Sequence, residues 1–279
     1  MTKKIDSKAV GLDIGLLIGR FFMDTEDLHY GYWPDDKTAT PQNIAEAQHR
    51  HSQLIIDHIP DRVERILDVG SGSGNLAMKL MDLGYEVDCV LPSEFLAENI
   101  RKKLGEKGHI HVCGFEDLIT TQQYDLILFS ESFQYVKLGL SINKIVDMLP
   151  IDGHLLICDF FKKDIPGKSP LGGGHKWKNF EKKIKSVPLT NMTDIDITEE
   201  TAPTNDLLNK FITQVLEPIK SITGEYLESN YSKLTGFLKW KYDKRLKKIN
   251  RVYFRGQLTG ENFIKYKTYR LLLFKKYSA

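Results

Sequence analysis

From residue 65 to residue 161 the chain alternates short, largely apolar runs with stretches whose apolar residues recur every three or four positions. The runs are Arg65 to Val69, Tyr85 to Leu91, His109 to Cys113, Tyr124 to Ser130 and Gly153 to Phe161. Runs of this length and apolar content predict buried strands. Between them, Leu76 to Leu83, Phe95 to Leu104 and Ile142 to Leu149 have helical spacing, with Phe95, Leu96, Ile100 and Leu104 as one stripe. Strands alternating with helices pair in parallel through right-handed crossovers, which covers both faces of the sheet and leaves a ligand at the carboxyl ends of the strands. Further on, Met192 to Ile197 reads as a sixth strand and Thr268 to Phe274 as a closing one. Helical stretches from about Asn205 to Ile222 and from Glu225 to Lys248 separate them and are expected to cap the strand ends. Ahead of the first strand, Thr40-Pro41 predicts a helix start that runs to His58.

The densest local signal sits where the first run ends. Asp68-Val69-Gly70-Ser71-Gly72-Ser73-Gly74-Asn75 places three glycines at alternate positions between a strand and a helix, where backbone N–H groups can approach an anionic or zwitterionic ligand. A dinucleotide loop needs Gly-x-Gly-x-x-Gly, and a phosphate loop needs a following lysine; neither is present. Apolar-Asp-apolar-Gly-x-Gly-x-Gly instead resembles the first motif of class I S-adenosylmethionine-dependent methyltransferases. A carboxylate such as Asp68 beside backbone donors suits a ligand carrying both an ammonium and a carboxylate group.

That resemblance implies a Rossmann-like, doubly wound α/β fold, with a seven-stranded mostly parallel sheet, an N-terminal helical lid and an inserted helical cap before the last strand. It implies S-adenosyl-L-methionine as cofactor, with Asp68, Gly70, Ser71, Gly72 and Gly74 at its methionine end. Glu116 or Asp117, in Cys113-Gly114-Phe115-Glu116-Asp117-Leu118, matches the acceptor for the adenine amine. Leu91 and Pro92 occupy the ribose position, where the family carries a carboxylate; Glu94 is a candidate substitute. Ser130 and Glu131 lie where family members place residues near the methyl donor and the acceptor.

The segment Tyr30-Gly31-Tyr32-Trp33, followed by Glu46-Ala47-Gln48, resembles the cyclopropane fatty acid synthase and tocopherol methyltransferase group. This implies that Tyr32 touches the cofactor; an aromatic face stabilises a sulfonium without consuming its methyl group. Ring closure is argued against, because the group's glutamate and histidine positions are here Gln134 and Tyr135, which cannot hold a bicarbonate base. Candidate bases or acceptor-site residues are His29, Glu131, Tyr135 and His175. The last follows Gly172-Gly173-Gly174, a candidate mobile lid.

Charge divides the chain. Residues 1 to 160 carry 15 Lys and Arg against 25 Asp and Glu, whereas residues 161 to 279 carry 24 against 12. The basic residues group at Lys162, Lys163 and Lys168, at Lys176 to Lys185, and at Lys239 to Arg251, interleaved with Trp177, Phe180, Trp240, Tyr242, Tyr253 and Phe254. That pattern suits a small or lipid-like, anionic acceptor, contact with a membrane surface, or an acidic carrier. Nucleic acid is disfavoured by the absence of a recognisable binding module. Cys89, Cys113 and Cys158 fall on separate predicted strands without metal spacing, so neither disulfide nor metal is expected, and the compartment reads as cytoplasmic. Asp13 and Arg20 interrupt the apolar stretch Ala9 to Phe22, which speaks against a signal peptide or span.

The expected organisation is a lid over residues 1–60, a cofactor-binding core over 61–163, a sixth strand with substrate cap over 164–267 and a closing strand over 268–279. The expected activity is methyl transfer to nitrogen or carbon of a small or lipid-like acceptor, by a protein that could also pair with a second copy. The alternatives are a non-catalytic cofactor-binding subunit and a methyltransferase for nucleic acid or a carrier-bound substrate. Aminopropyl transfer is disfavoured, since nothing forms an acidic polyamine groove.

Overall fold

The computed structural model describes residues 7–34, 38–105, 108–167 and 169–278, with the side chains of residues 7–9, 251 and 252 left aside. Lys168, and the side chains of Ala9 and Arg251, thus lie outside the described residues. Two helices, α1 (Ser7–Phe22) and α2 (Ile44–Ile56), precede the sheet. The alternating core is β1 (Arg65–Val69), α3 (Asn75–Asp82), β2 (Glu86–Val90), α4 (Glu94–Leu104), β3 (Ile110–His111), β4 (Leu126–Ser130), α5 (Leu138–Met148) and β5 (His154–Lys162). Then come α6 (Trp177–Ile184), β6 (Leu189–Asp196), α7 (Thr198–Thr201), α8 (Pro203–Phe211), α9 (Glu217–Asn230), α10 (Ser232–Tyr253), α11 (Gly260–Tyr266) and β7 (Lys267–Lys276).

The seven strands form one sheet in the order β3-β2-β1-β4-β5-β7-β6, parallel except for β7, which runs antiparallel to both neighbours. Chain order reverses between β1 and β4, so the crevice for a ligand opens above the ends of these two strands, beside Gly70 and Ser130. Period-two alternation sorts the core into two layers. Ile66, Leu128, Leu156 and Leu271 pack with α3, α4, Leu16 of α1 and Ile55 of α2. Their neighbours Leu67, Ile127, Ile157 and Leu272 pack with Ile142 and Ile145 of α5 and Phe180 of α6.

Several expectations need correction. Thr40-Pro41 does not start α2: Thr40 donates its N–H and hydroxyl to Asn43 Oδ1 in a preceding turn, and the helix begins at Ile44 and ends at Ile56. The third strand shrinks to two residues because pairing with β2 ends at His111, so Cys113 is not on a strand. The break expected near residue 223 falls at Tyr231, and Gly224 is carried inside α9. The helical insert from residue 205 to 248 is buried only at its start. Through Leu207 and Ile212 the start of this insert is buried in the body, but α9 contains no buried residue and α10 is solvent-exposed along nearly its whole length. These two helices form a hairpin, and the end of α10 at Tyr253 lies near Tyr135.

Candidate active site

The loop after β1 is shaped by close approach. Gly70, Gly72 and Gly74 all have positive φ (80°, 54° and 83°), a conformation that L side chains rarely adopt. A Cβ on Gly70 would stand 2.3 Å from Ser132 Cβ, and one on Gly74 would stand 2.8 Å from Ile100 Cγ1. Gly72 is different, its nearest neighbour being Leu28 Cδ1 at 3.7 Å, so this residue faces open space beneath the lid. The Gly70 N–H donates to Val90 O (2.7 Å) and the Gly74 N–H to Ser71 O (2.8 Å), which fixes the loop between β1 and α3. Ser71 donates its hydroxyl to the Asp68 carbonyl oxygen (2.8 Å). Asp68 is buried and its Oδ2 has no partner within the protein. Burial pushes its carboxyl up to about 7, against the pull of the Ser71 hydroxyl. An unpartnered buried carboxylate beside three glycines at an alternation of donors fits the ammonium and carboxylate of an amino-acid moiety.

Leu91 is buried at the end of β2 and Pro92 is exposed. Glu94 does not replace the missing carboxylate: it is exposed and paired with Arg101 (2.7 Å). An acid reaches this strand end from elsewhere. The Ser93 hydroxyl, which caps α4 by accepting the Leu96 N–H, donates to Asp13 Oδ1 of α1 at 2.9 Å. Glu116 and Asp117 form a 3-10 turn with Phe115. Glu116 Oε1 accepts the Lys137 N–H ahead of α5, while Asp117 is exposed. Their carboxylates face the Gly114 backbone within 4 Å of a Cβ placed there, so the pair stays together at the end of β3.

The aromatic segment is stitched to the start of the insert. Trp33 donates its N–H to Glu200 O (2.8 Å) and its indole N–H to Thr204 Oγ1 (3.1 Å), while the Tyr30 hydroxyl donates to Asn205 Oδ1 (3.1 Å). Buried Gln48 holds the approach to it, donating to Asp27 O and His29 O and accepting from the Thr25 hydroxyl. Tyr32 is anchored through its N–H to Ala47 O (2.9 Å). The glutamine of the Glu46-Ala47-Gln48 signature is thus a clamp on the segment leading into Tyr30-Gly31-Tyr32-Trp33.

Above β4 and β5 lies a buried polar network that sequence reading found only in part. Glu131, at positive φ (53°), accepts the Tyr30 N–H (2.6 Å) and the Tyr269 hydroxyl (2.8 Å) on Oε1. His51 Nε2 stands 2.8 Å from the same Tyr269 oxygen, so with Tyr269 donating to Glu131, His51 donates to Tyr269. Burial moves Glu131 up to about 8 and holds His51 well below its ordinary value, which keeps this chain neutral near pH 7. His29 stacks on His51 with ring centroids 4.5 Å apart; it donates from Nδ1 to Tyr30 O (2.8 Å) and accepts the Ser52 hydroxyl at Nε2 (3.3 Å). Ser130 Oγ is buried without a partner beside it. The structure brings Glu131, His29 and His51 together; Tyr135, half exposed, lies close enough that partial burial and the charges of Glu131 and Asp159 raise its hydroxyl above the ordinary value, while His175 Nε2 lies 3.0 Å from Phe133 O.

Asp159 and Lys267 complete the network. Asp159 accepts the Gln134 N–H (2.9 Å) and the Phe160 N–H (2.7 Å), and burial raises it to about 7. Lys267, with no exposed surface, donates to Gly172 O (2.7 Å) and Gly173 O (2.6 Å); burial lowers it to about 7. The glycine loop is therefore pinned. Replacing Lys267 by Met leaves two carbonyls without their donor. A loss of about 2–4 kcal/mol of stability is expected, read as a lower urea midpoint at unchanged slope. The signals were an acid inside an apolar strand and a lysine opening one.

Residues 67–157 match a family model described as a methyltransferase domain. The chain carries a methyltransferase domain. The match begins inside β1 and ends inside β5, enclosing the glycine loop, Glu116 and Glu131. An uncharacterised methyltransferase of Staphylococcus carnosus (strain TM300) is 36% identical over 115 residues, which are 39% of this chain and 53% of that protein. This chain thus spans about half the length of the curated relative it matches. Among solved structures, the cyclase SpnF superposes with a TM-score of 0.69 at 15% identity, over 98% of this chain and 95% of that one. A geranyl diphosphate C-methyltransferase from Streptomyces coelicolor A3(2), in complex with Mg2+, geranyl-S-thiolodiphosphate and S-adenosyl-L-homocysteine, superposes with a TM-score of 0.64 at 14% identity, over 99% and 100%. At such identities these likenesses establish the fold alone, which the chain shares with them over nearly its whole length.

Proposed function

We propose that this protein binds S-adenosyl-L-methionine and transfers its methyl group to a small or lipid-like acceptor, with nitrogen or carbon as the target atom. The observation that carries the reading is the buried Asp68 carboxylate, its Oδ2 without a partner, at the floor of a glycine loop too close-packed at Gly70 and Gly74 for any side chain. Asp68 and the Gly70–Gly74 backbone would hold the methionine end, and Glu116 and Asp117 the adenine. Asp13 would serve the ribose in place of the acid that Leu91 lacks. Tyr32 would line the sulfonium, which the cofactor supplies as an activated methyl donor.

On the acceptor side the chain's own groups hold and move protons. Tyr269 and the Tyr30 N–H orient Glu131, and His51 orients Tyr269. Glu131 is then placed to take a proton from an acceptor once ionised, and the lid aromatics exclude water around it. Most of the acceleration for an amine comes from alignment with the methyl group, with proton removal added to it. The small-molecule acceptor of the geranyl diphosphate enzyme is in keeping with this reading, and so is the basic second half of this chain.

Calorimetric titration with S-adenosyl-L-methionine, with NAD and ATP as controls, tests it. An ammonium needs the ionised carboxylate, so affinity is expected to climb about fivefold from pH 6 to pH 7 as Asp68 loses its proton. Asp68→Asn should bind more weakly and lose that slope. No heat at either pH rejects the cofactor assignment.

A further inference from the structure

The α9–α10 hairpin lies outside the matched domain and is exposed along nearly its whole length. Ser232–Tyr253 carries eight Lys and Arg against one Asp, a net of +7, along 22 residues that bend at Tyr242. It is held to α9 by Lys239 to Glu228, Lys220 to Asn250, and the Thr235 hydroxyl to Leu227 O (2.9 Å), all exposed pairs. Away from those pairs, Trp240 is 76% exposed and Phe237 51% exposed, with ring centroids 6.0 Å apart. Lys241 lies over the Phe237 ring at 5.7 Å. Lys233, Phe237 and Trp240 follow one another at intervals of four and three, which puts them on one face before the kink at Tyr242. Past the kink, Lys244, Arg245, Lys247 and Lys248 are again exposed.

We infer that this hairpin docks the protein on an anionic phospholipid surface. Lysines beside exposed aromatic rings match a bilayer's two layers of chemistry: headgroup charge takes the ammonium groups, and the boundary below takes the indole and phenyl rings. Aliphatic residues Ile222 of α9 and Leu234 of α10, both more than half exposed, add apolar surface to the hairpin that has no use against a phosphate backbone. A second copy is a poor occupant, because a two-fold contact would set a +7 helix against itself. Among the described residues no helix is long and apolar enough to cross a membrane, so the contact is peripheral.

The test is co-sedimentation of the full chain with vesicles of phosphatidylcholine alone or mixed with phosphatidylglycerol, at low and high salt. Binding is expected only to the mixed vesicles, weaker in high salt, with a blue shift of tryptophan emission that Trp240→Phe removes. The triple variant Lys241→Glu, Lys244→Glu, Lys248→Glu changes only exposed side chains. It should keep the same circular dichroism and thermal midpoint while partitioning falls about a hundredfold. Absence of binding to mixed vesicles overturns the inference, as does equal binding by the triple variant. Self-association lost in Trp240→Ala without vesicle binding, or displacement from vesicles by RNA at stoichiometric amounts, overturns it in favour of a second copy or a nucleic acid.

Discussion

Gly70→Ala is expected to cost about 2–4 kcal/mol of stability, whereas Gly72→Val is expected to leave the fold nearly intact and remove cofactor binding. The two glycines differ in what a side chain would meet. At Gly70 the added Cβ collides with Ser132, whose hydroxyl is itself bonded to Val69 O, so neither partner can give way cheaply. At Gly72 only Leu28 is near, at ordinary contact distance, and the cost is the strain of a positive φ, about 1–2 kcal/mol. The valine nonetheless stands over the loop's backbone donors, and affinity for S-adenosyl-L-methionine should fall by on the order of a hundredfold or more. Urea unfolding and calorimetry on both variants separate the effects. A Gly72→Val protein that binds as tightly as the parent would remove the loop from the cofactor site.

Glu131→Gln should lower turnover about a hundredfold with an acceptor that must lose a proton, at unchanged cofactor affinity. The amide keeps an oxygen for the Tyr30 N–H and the Tyr269 hydroxyl, so stability should move by less than about 1 kcal/mol. In the parent the rate should rise with pH toward a plateau above about 8, where Glu131 ionises, and the variant should be flat there. The assay is methyl incorporation into a panel of amines, phospholipids and prenyl diphosphates, followed across pH. Unchanged turnover and an unchanged profile in the variant would assign Glu131 to shaping the site, with its positive φ part of that shape. A variant that unfolds would be recognised from its urea midpoint before any rate is read.

Much of the architecture was legible because local and global signals agree. The runs of β1, β4 and β5 are mostly apolar, the β1 turn is rich in glycine, and parallel pairing leaves one ligand crevice. What could not be read was whatever depends on elements distant in sequence meeting in space. His51, Glu131, Asp159, Lys267 and Tyr269 come from α2, the end of β4, β5 and the start of β7, and only the antiparallel pairing of β7 with β5 brings the last two beside the others. Asp13 was dismissed as an interruption of an apolar stretch; its contact with Ser93 depends on how α1 docks. Helical spacing also cannot say whether an apolar stripe is buried. In α8 Leu207 enters the core, while in α9 and α10 comparable residues stay in solvent.

The position of Asp13 bears on how long a ligand would stay. The sheet end supplies Asp68 and the glycine loop from the rigid body of the molecule, but the acid beside Ser93 arrives on α1, a helix held to that body by few side chains such as Leu16. On the proposed reading, a bound nucleoside and the docked helix would secure each other: the helix closes the ribose end, and the ribose holds the helix down. Residence time would then be set by helix undocking, and exchange of spent for fresh cofactor would proceed without disturbing a strand of the sheet.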